Sequence, residues 1–339
     1  MAELPERRGI ILKIIVGEYV ASATPVASES IARGYSLGIS PATTRHEMAR
    51  LEEEGYIARP HASAGSIPSD KGYRYYVECL LKEAKLSQEE QLAIQRFFYQ
   101  AEQEPEKWAR LAVTVLTQRL KSIALATPPH TAVCHFRHLE LIALQELLIL
   151  FVLVLQEGKI RQQLLALEQA ASQDELTALA NRLNAAYQGL TYSQIGAQEL
   201  ESSPIEERIS GIIMQVMEAE DKQQYEQFYL DGWRHLVSQA EFIKSKKMLH
   251  LIEALEERSI LNKLLSSLGN ESGIKVTIGS ENEEEVLQEC SVILSNYGTQ
   301  GRRGAIGVIA PTRMPYSRAI PTVDYVSTIM SELVSGVYA

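Results

Sequence analysis

Between Ser40 and Glu54 lies a segment whose side chains could read a nucleic acid. Ser40 offers an N-cap oxygen, Pro41 takes the first helical position, where no backbone donor is missed, and Gly55 closes the run. Helical spacing sends Thr44, Met48 and Leu51 to one buried stripe and leaves Thr43, His46, Glu47 and Arg50 opposite, with Arg45 beside them. Hydroxyl, imidazole and guanidinium groups hydrogen-bond base edges and phosphates in a DNA groove. Charge along the helix has a direction. Its leading end is free of acids, whereas Glu52, Glu53 and Glu54 crowd the trailing end, where carboxylates oppose the helix dipole and repel phosphate. The leading end therefore has to face the duplex.

A second group follows. Residues 59–68, RPHASAGSIP, form a small polar tip between two short apolar segments and predict a β-hairpin, the wing of a winged helix-turn-helix. Arg59, His61, Ser63 and Ser66 are candidates for phosphate contact there, and Lys71 and Arg74 just beyond could add two positive charges. From spacing alone, Arg45, Arg50 and Arg74 read equally well as solvated surface charges, because this motif is only moderately specific.

Other groupings carry less. His130, His135 and His138 lie near Cys134, but strand alternation sends His135 and His138 to opposite faces and no further ligand completes a zinc set. Gly298, Gly301, Gly304 and Gly307 surround Arg302 and Arg303 without the Gly-Lys-Ser/Thr ending of a phosphate loop, which predicts a turn between strands. Arg313, beside Met314 and Tyr316, suits either a contact between domains or a vestigial ligand pocket, and the contact is preferred. No nucleophile, histidine and carboxylate stand at a recognisable motif spacing, so no enzyme is indicated. A small-molecule sensor with DNA binding as output stays open beside a plain repressor.

The elements that must position these residues are legible in outline. Two i, i+4 rows, Ile11/Ile15/Tyr19 and Leu12/Val16/Val20, predict a first helix that ends before Pro25. Ser28 is expected to cap a short second helix stopped by Gly34. Capping boxes at Ser87/Glu90, Ser172/Glu175 and Ser203/Glu206 open later helices, and the stripe Trp108, Ala112, Leu116, Leu120 and Ile123 predicts one running towards Pro128-Pro129. Residues 132–165 predict two or three antiparallel strands, a helical block runs to about Leu268, and strands return near 274–278, 292–294 and 305–309 before a closing helix at 323–333. The class is α+β, with an insertion.

Totals agree with a cytoplasmic protein of two or three domains. The longest apolar run, 147–155, is far short of the ~20 residues a spanning helix needs, so no membrane is expected. Three separated cysteines without a CxxC pair suit a reducing compartment. The net charge of −10 is unusual for a DNA binder, and the first 80 residues hold nine Lys/Arg against ten Asp/Glu. Their basic groups must be segregated, and non-specific affinity should be modest.

The runs PVASESIARGY, SPATTRHEMARLEEEGYIARPHASAGSIPSDKGYRYYV and GAIGVIAPTRMPYSRAIPTVDYV resemble, in the same order, signature stretches of the HrcA family of heat-inducible repressors. The resemblance spans the chain and is weakest in its middle. It implies a homodimer on double-stranded DNA, at the inverted repeat called CIRCE upstream of chaperone operons, with the GroE chaperonin as partner and no cofactor. It further implies a winged helix-turn-helix at 1–90, a GAF-like domain at 105–160 and 245–339, and an inserted dimerisation domain at 160–245. Three positions depart from the family's pattern: Ser66 stands where a wing arginine is usual, Thr44 where an aliphatic residue is common, and Ala310 where glycine is usual.

Overall fold

A computed structural model describes residues 4–35, 37–61, 64–81, 85–99, 104–131, 133–156, 158–198, 203–222, 227–237, 239, 247–269, 273–299 and 301–338. Helix α1 (Glu6–Ser22) is followed by α2 (Ser28–Gly34), a turn with Gly38 in the left-handed region, and α3 (Pro41–Glu53). Ser40 caps α3 by accepting the Thr43 amide at 3.1 Å. Ser28 does not cap α2: it is the first helical residue, after Ala27, which makes no side-chain cap. Ile11, Leu12, Ile15, Ile31, Met48 and Leu51 form the shared core. Thr44 is buried among them, and its hydroxyl donates to the Ser40 carbonyl at 3.2 Å, so the polar atom on the buried face is satisfied within its own helix.

The hairpin β1 (Ile57–Ala58) and β2 (Ile67–Pro68) comes next, antiparallel, and then α4 (Asp70–Tyr75), which runs on as a π-turn over Tyr76–Leu80. Helix α5 (Gln88–Phe98) carries the expected capping box at Ser87 and Glu90. Helix α6 (Pro105–Leu120) ends earlier than its stripe suggests. Lys121 turns left-handed (φ 52°), and Ile123–Ala126 becomes strand β3 instead of a fifth helical turn. All four residues of β3 are buried, and an apolar run buried on both faces does not alternate, which disguises it as helix.

Beyond β3 come β4 (His130–Thr131), β5 (Phe136–Gln145), β6 (Leu148–Leu155) and β7 (Ile160–Ala166), then α7 (Gln173–Tyr187), α8 (Tyr192–Gly196) and α9 (Pro204–Lys222). Strand β8 (Tyr229–Asp231) precedes α10 (Trp233–Val237), α11 (Lys247–Glu256) and α12 (Arg258–Ser266). The chain ends with β9 (Ile274–Ile278), β10 (Cys290–Gly298), β11 (Arg302–Pro311) and α13 (Tyr316–Tyr338). The fold is α+β.

Two compact units result: Met1–Pro129 with Gln227–Thr299 and Gly304–Ala339, and His130–Glu226 with Gln300–Arg303. In the first, the strand order is β8, β3, β11, β10, β9, with α6 and α13 packed against the sheet. One continuous core joins it to the helix-turn-helix, from Ile11 through Tyr73 and Trp108 to Met330. In the second, β5, β6 and β7 form a three-stranded sheet and bury Phe136, Phe151 and Leu153 against α7 and α9. This division falls near 130 and 226, where all three strands share their core with the helices that follow them.

Within the first unit, α4 is fastened to the turn after β9. The Asp70 carboxylate accepts the Ser280 amide at 2.9 Å and the Ser280 hydroxyl at 2.8 Å. Arg74 donates from Nε to Glu281 at 2.8 Å, grips the same carboxylate a second time through Nη2, and gives a further bond of 2.7 Å to the Val276 carbonyl. Gly279 has φ 53°, and a Cβ there would lie 2.3 Å from the Asp70 carboxylate, so the turn can approach α4 only as glycine. Arg313 adds a bond of 2.7 Å to the Val20 carbonyl at the end of α1, where helical carbonyls lack partners, so the domain contact preferred for it is present.

Burial draws the Glu281 carboxyl upward, but the bonds from Arg74 and from the Ile278 amide outweigh it and hold the group below the ordinary carboxylate range. A carboxyl depressed in the native state stabilises the fold fully above its unfolded value, about 4, and that contribution is lost as pH falls through the lower native value. Glu281→Gln is therefore expected to lower the melting temperature at pH 7, with the gap to wild type closing in acid. Melting curves of both proteins taken from pH 7 down through pH 3 check this, and a gap independent of pH would contradict it.

Candidate nucleic-acid interface

The leading end of α3 is open to solvent. Ser40, Arg45 and His46 are exposed and Thr43 half-buried, with the Ser40 and Thr43 hydroxyls 3.0 Å apart. The first turn contains no acid. Among the described residues Arg45 makes no ion pair or hydrogen bond, so its guanidinium is available to a ligand. The stripe Thr44, Met48 and Leu51 is buried, and it is this burial that turns Arg45 and His46 outward.

The trailing end is occupied with itself. Arg50 pairs with Glu53 at 3.0 Å, and Arg59 pairs with Glu52 at 3.1 Å. Lys71 donates to the Glu54 carbonyl at 2.7 Å and stands 4.4 Å from the centre of the Tyr56 ring. Glu47 faces Arg7 at 3.9 Å and Arg8 at 3.7 Å, and Arg8 also meets Glu54. These two arginines of α1 were missed by sequence reasoning. Their adjacency and the acid run were visible, but not that the first turn of α1 lies across α3.

The wing departs from expectation at two of its candidates. Ser66 is 1% exposed: its amide and carbonyl bridge to Val26 at 2.9 and 2.8 Å, and its hydroxyl points inward without a hydrogen-bond partner. It anchors the hairpin to the loop between α1 and α2 and does not offer its hydroxyl to phosphate. Gly65 makes that anchoring possible, since a Cβ there would lie 2.6 Å from the Val26 backbone. Arg74 is the second correction. Its side chain is committed to Glu281 and Glu78 and is mostly buried, so it fastens α4 instead of facing a duplex. His61 is exposed at the tip, and Ser63 lies outside the described residues.

Elsewhere, His138 is exposed and 3.3 Å from Glu140, and the Cys134 thiol donates to the Met217 carbonyl at 3.4 Å. Among the described residues no three histidine, cysteine or acidic side chains come together as a metal site. Burial pushes the Cys290 thiol up to about 12, which leaves it a packed apolar group. Of the glycine-rich stretch, Gly298 ends β10 and Gly301 lies between the strands, whereas Arg302, Arg303, Gly304 and Gly307 are on β11 itself. No helix among the described residues is long and apolar enough to cross a membrane.

Residues 106–320 match the family model described as the HrcA protein C-terminal domain. A heat-inducible transcription repressor HrcA of Dehalococcoides mccartyi is 42% identical over 336 residues, covering 99% of this chain and 97% of its own. Its counterpart in Roseiflexus castenholzii is 38% identical over 344 residues, covering 99% and 96%. A crystal structure of a hypothetical protein superposes with a TM-score of 0.65 at 25% identity, covering 99% of this chain and all of that one.

Proposed function

This chain belongs to the HrcA family of heat-inducible transcription repressors, and from that premise we propose that it acts in the cytoplasm as a homodimer on a duplex inverted repeat, the CIRCE operator of chaperone genes. The observation that carries the reading is the leading end of α3, where an exposed, unpaired Arg45 stands with Ser40, Thr43 and His46 and no acid nearby. A helix presented this way enters a major groove with its N-terminal residues at the base edges, and a twofold dimer repeats the contact on the opposite half-site. Arg59, His61 and Lys71 flank it as backbone contacts.

The dimer reading has its own support in the second unit, read as the dimerisation module inserted into a GAF-like body. One face of the β5–β7 sheet is buried against helices; the other carries Ile142, Leu150 and Leu164 in a single cross-strand row. Ile142 is 38% exposed and Leu164 60%, and Leu144, Leu147 and Ile160 extend the patch. An apolar sheet face of this extent marks a protein interface, and a self-complementary one suits a twofold axis. Heat regulation follows from conformational stability: warming depletes the active dimer, and GroE, when not occupied by other clients, restores it.

Three measurements test these statements. Arg45→Ala is expected to weaken operator binding by roughly 1 to 3 kcal/mol, the discrimination of one bidentate base contact, measured by titration at fixed salt; an unchanged affinity removes Arg45 from the interface. Leu164→Arg is expected to turn the dimer into monomer in sedimentation, and a dimer that persists with wild-type affinity places the interface elsewhere. Adding GroE with ATP to heat-treated protein is expected to raise the fraction that binds operator, and no rise argues against the chaperonin as partner.

A further inference from the structure

Of the nine basic residues in the first 80, Lys13 and Arg45 have no partner among the described residues. The other seven are held: Arg7 and Arg8 by Glu47, Arg33 by Glu29, Arg50 by Glu53, Arg59 by Glu52, Lys71 by the Glu54 carbonyl and Arg74 by Glu281. Three of these partnerships come from consecutive residues, Glu52, Glu53 and Glu54, at the end of α3 where the helix dipole disfavours negative charge. Stability is a poor reason for them. The Arg50–Glu53 and Arg59–Glu52 pairs are solvent-accessible, and exposed pairs of this kind contribute little to folding.

Their effect on a polyanion is larger. For Arg59 to take up a phosphate it has to leave Glu52, and the vacated carboxylate, on the neighbouring helix end, then faces the same phosphate. Arg50 meets the identical exchange with Glu53. Sequence-independent affinity rises with the number of phosphates neutralised, so each such exchange removes one contribution to it. Arg45, at the other end of the helix, has no internal bond to give up. We propose that Glu52 and Glu53 are internal competitors for phosphate that raise specificity by suppressing sequence-independent DNA binding, leaving discrimination to the leading end of α3. Specificity gained by penalising the wrong partner is a general strategy, and here it also accounts for a DNA-binding surface without net positive charge. The inference rests on the DNA-binding reading above.

The test compares full-length wild type with Glu52→Gln/Glu53→Gln, both confirmed folded by cooperative melting. Each is titrated with a scrambled duplex and with an operator selected from a random pool, between 50 and 200 mM salt. The variant is expected to bind scrambled duplex several-fold tighter at low salt, with the slope of log affinity against log salt steeper by about 0.9 per guanidinium released. Its operator affinity is expected to rise less, so the ratio of the two falls. Adding Arg59→Gln should take back the share due to Arg59. Should the double variant not fold, Glu52→Gln alone carries the same expectation at half the size. If wild type binds operator while the folded variant keeps the wild-type salt slope and scrambled-duplex affinity, the competition is refuted and the DNA reading stands. If neither protein binds any duplex, both fall together.

Discussion

Asp70 and Arg74 stand one helical turn apart on α4 and grip the same three-residue turn, Gly279 to Glu281, of a segment more than 200 residues away in sequence. That grip, beside the shared core and the Arg313 bond to α1, holds the elements in front of α4: the hairpin leads directly into α4, and Ser69, which caps it, donates its hydroxyl to the Gly55 carbonyl at the end of α3. On the other side, Tyr316 lies 5.6 Å from Tyr73, ring to ring, and shares its hydroxyl with Ser291 at 2.5 Å. A charged bidentate bond backed by aromatic packing is both strong and directional. It makes the helix-turn-helix and the sheet one body with one core, although the sequence invites reading them as separate domains.

That attachment governs how charge is used. Arg74 is withdrawn from the surface to hold the fold, and Ser66 is withdrawn to hold the hairpin, so two residues suited to phosphate contact act as structural anchors. The remaining cations are mostly pinned by acids of the same surface. A repressor built this way depends on the placement of few groups more than on total charge, which is compatible with a chain of net charge −10.

Much of this was legible beforehand, and the reasons differ from element to element. Ser40, Pro41 and Gly55 mark the limits of α3 because capping and glycine closure are local chemistry, and the stripe Thr44, Met48, Leu51 settles which side faces out. Two or three strands after residue 132 were readable from alternating and continuous apolar runs with a turn at Glu157-Gly158, and three are present. Strand β3 was not, since Ile123–Ala126 is buried on both faces and gives no alternation. The fates of Ser66 and Arg74 were hidden for a different reason: their partners, Val26 and Glu281, are set by tertiary contact, and no local pattern connects positions 40 or 207 residues apart.

The π-turn at Tyr76–Leu80 gives the helix after Arg74 a wider loop than its neighbours. A residue in an ordinary α-helix advances the rotation by about 100°, so accommodating one extra residue re-aims all that follows. Three tyrosines lie just ahead of the π-turn or at its start, and ordinary helical steps already send them to different sides. Tyr73 meets the Tyr316 ring, Tyr75 accepts the Leu4 amide at 2.8 Å and stacks edgewise on Tyr56, and Tyr76 is buried as well. The widened turn thus sets a new angle for Val77 to Leu80 alone, while the two tyrosines ahead of it keep the partners fixed by the register of α4.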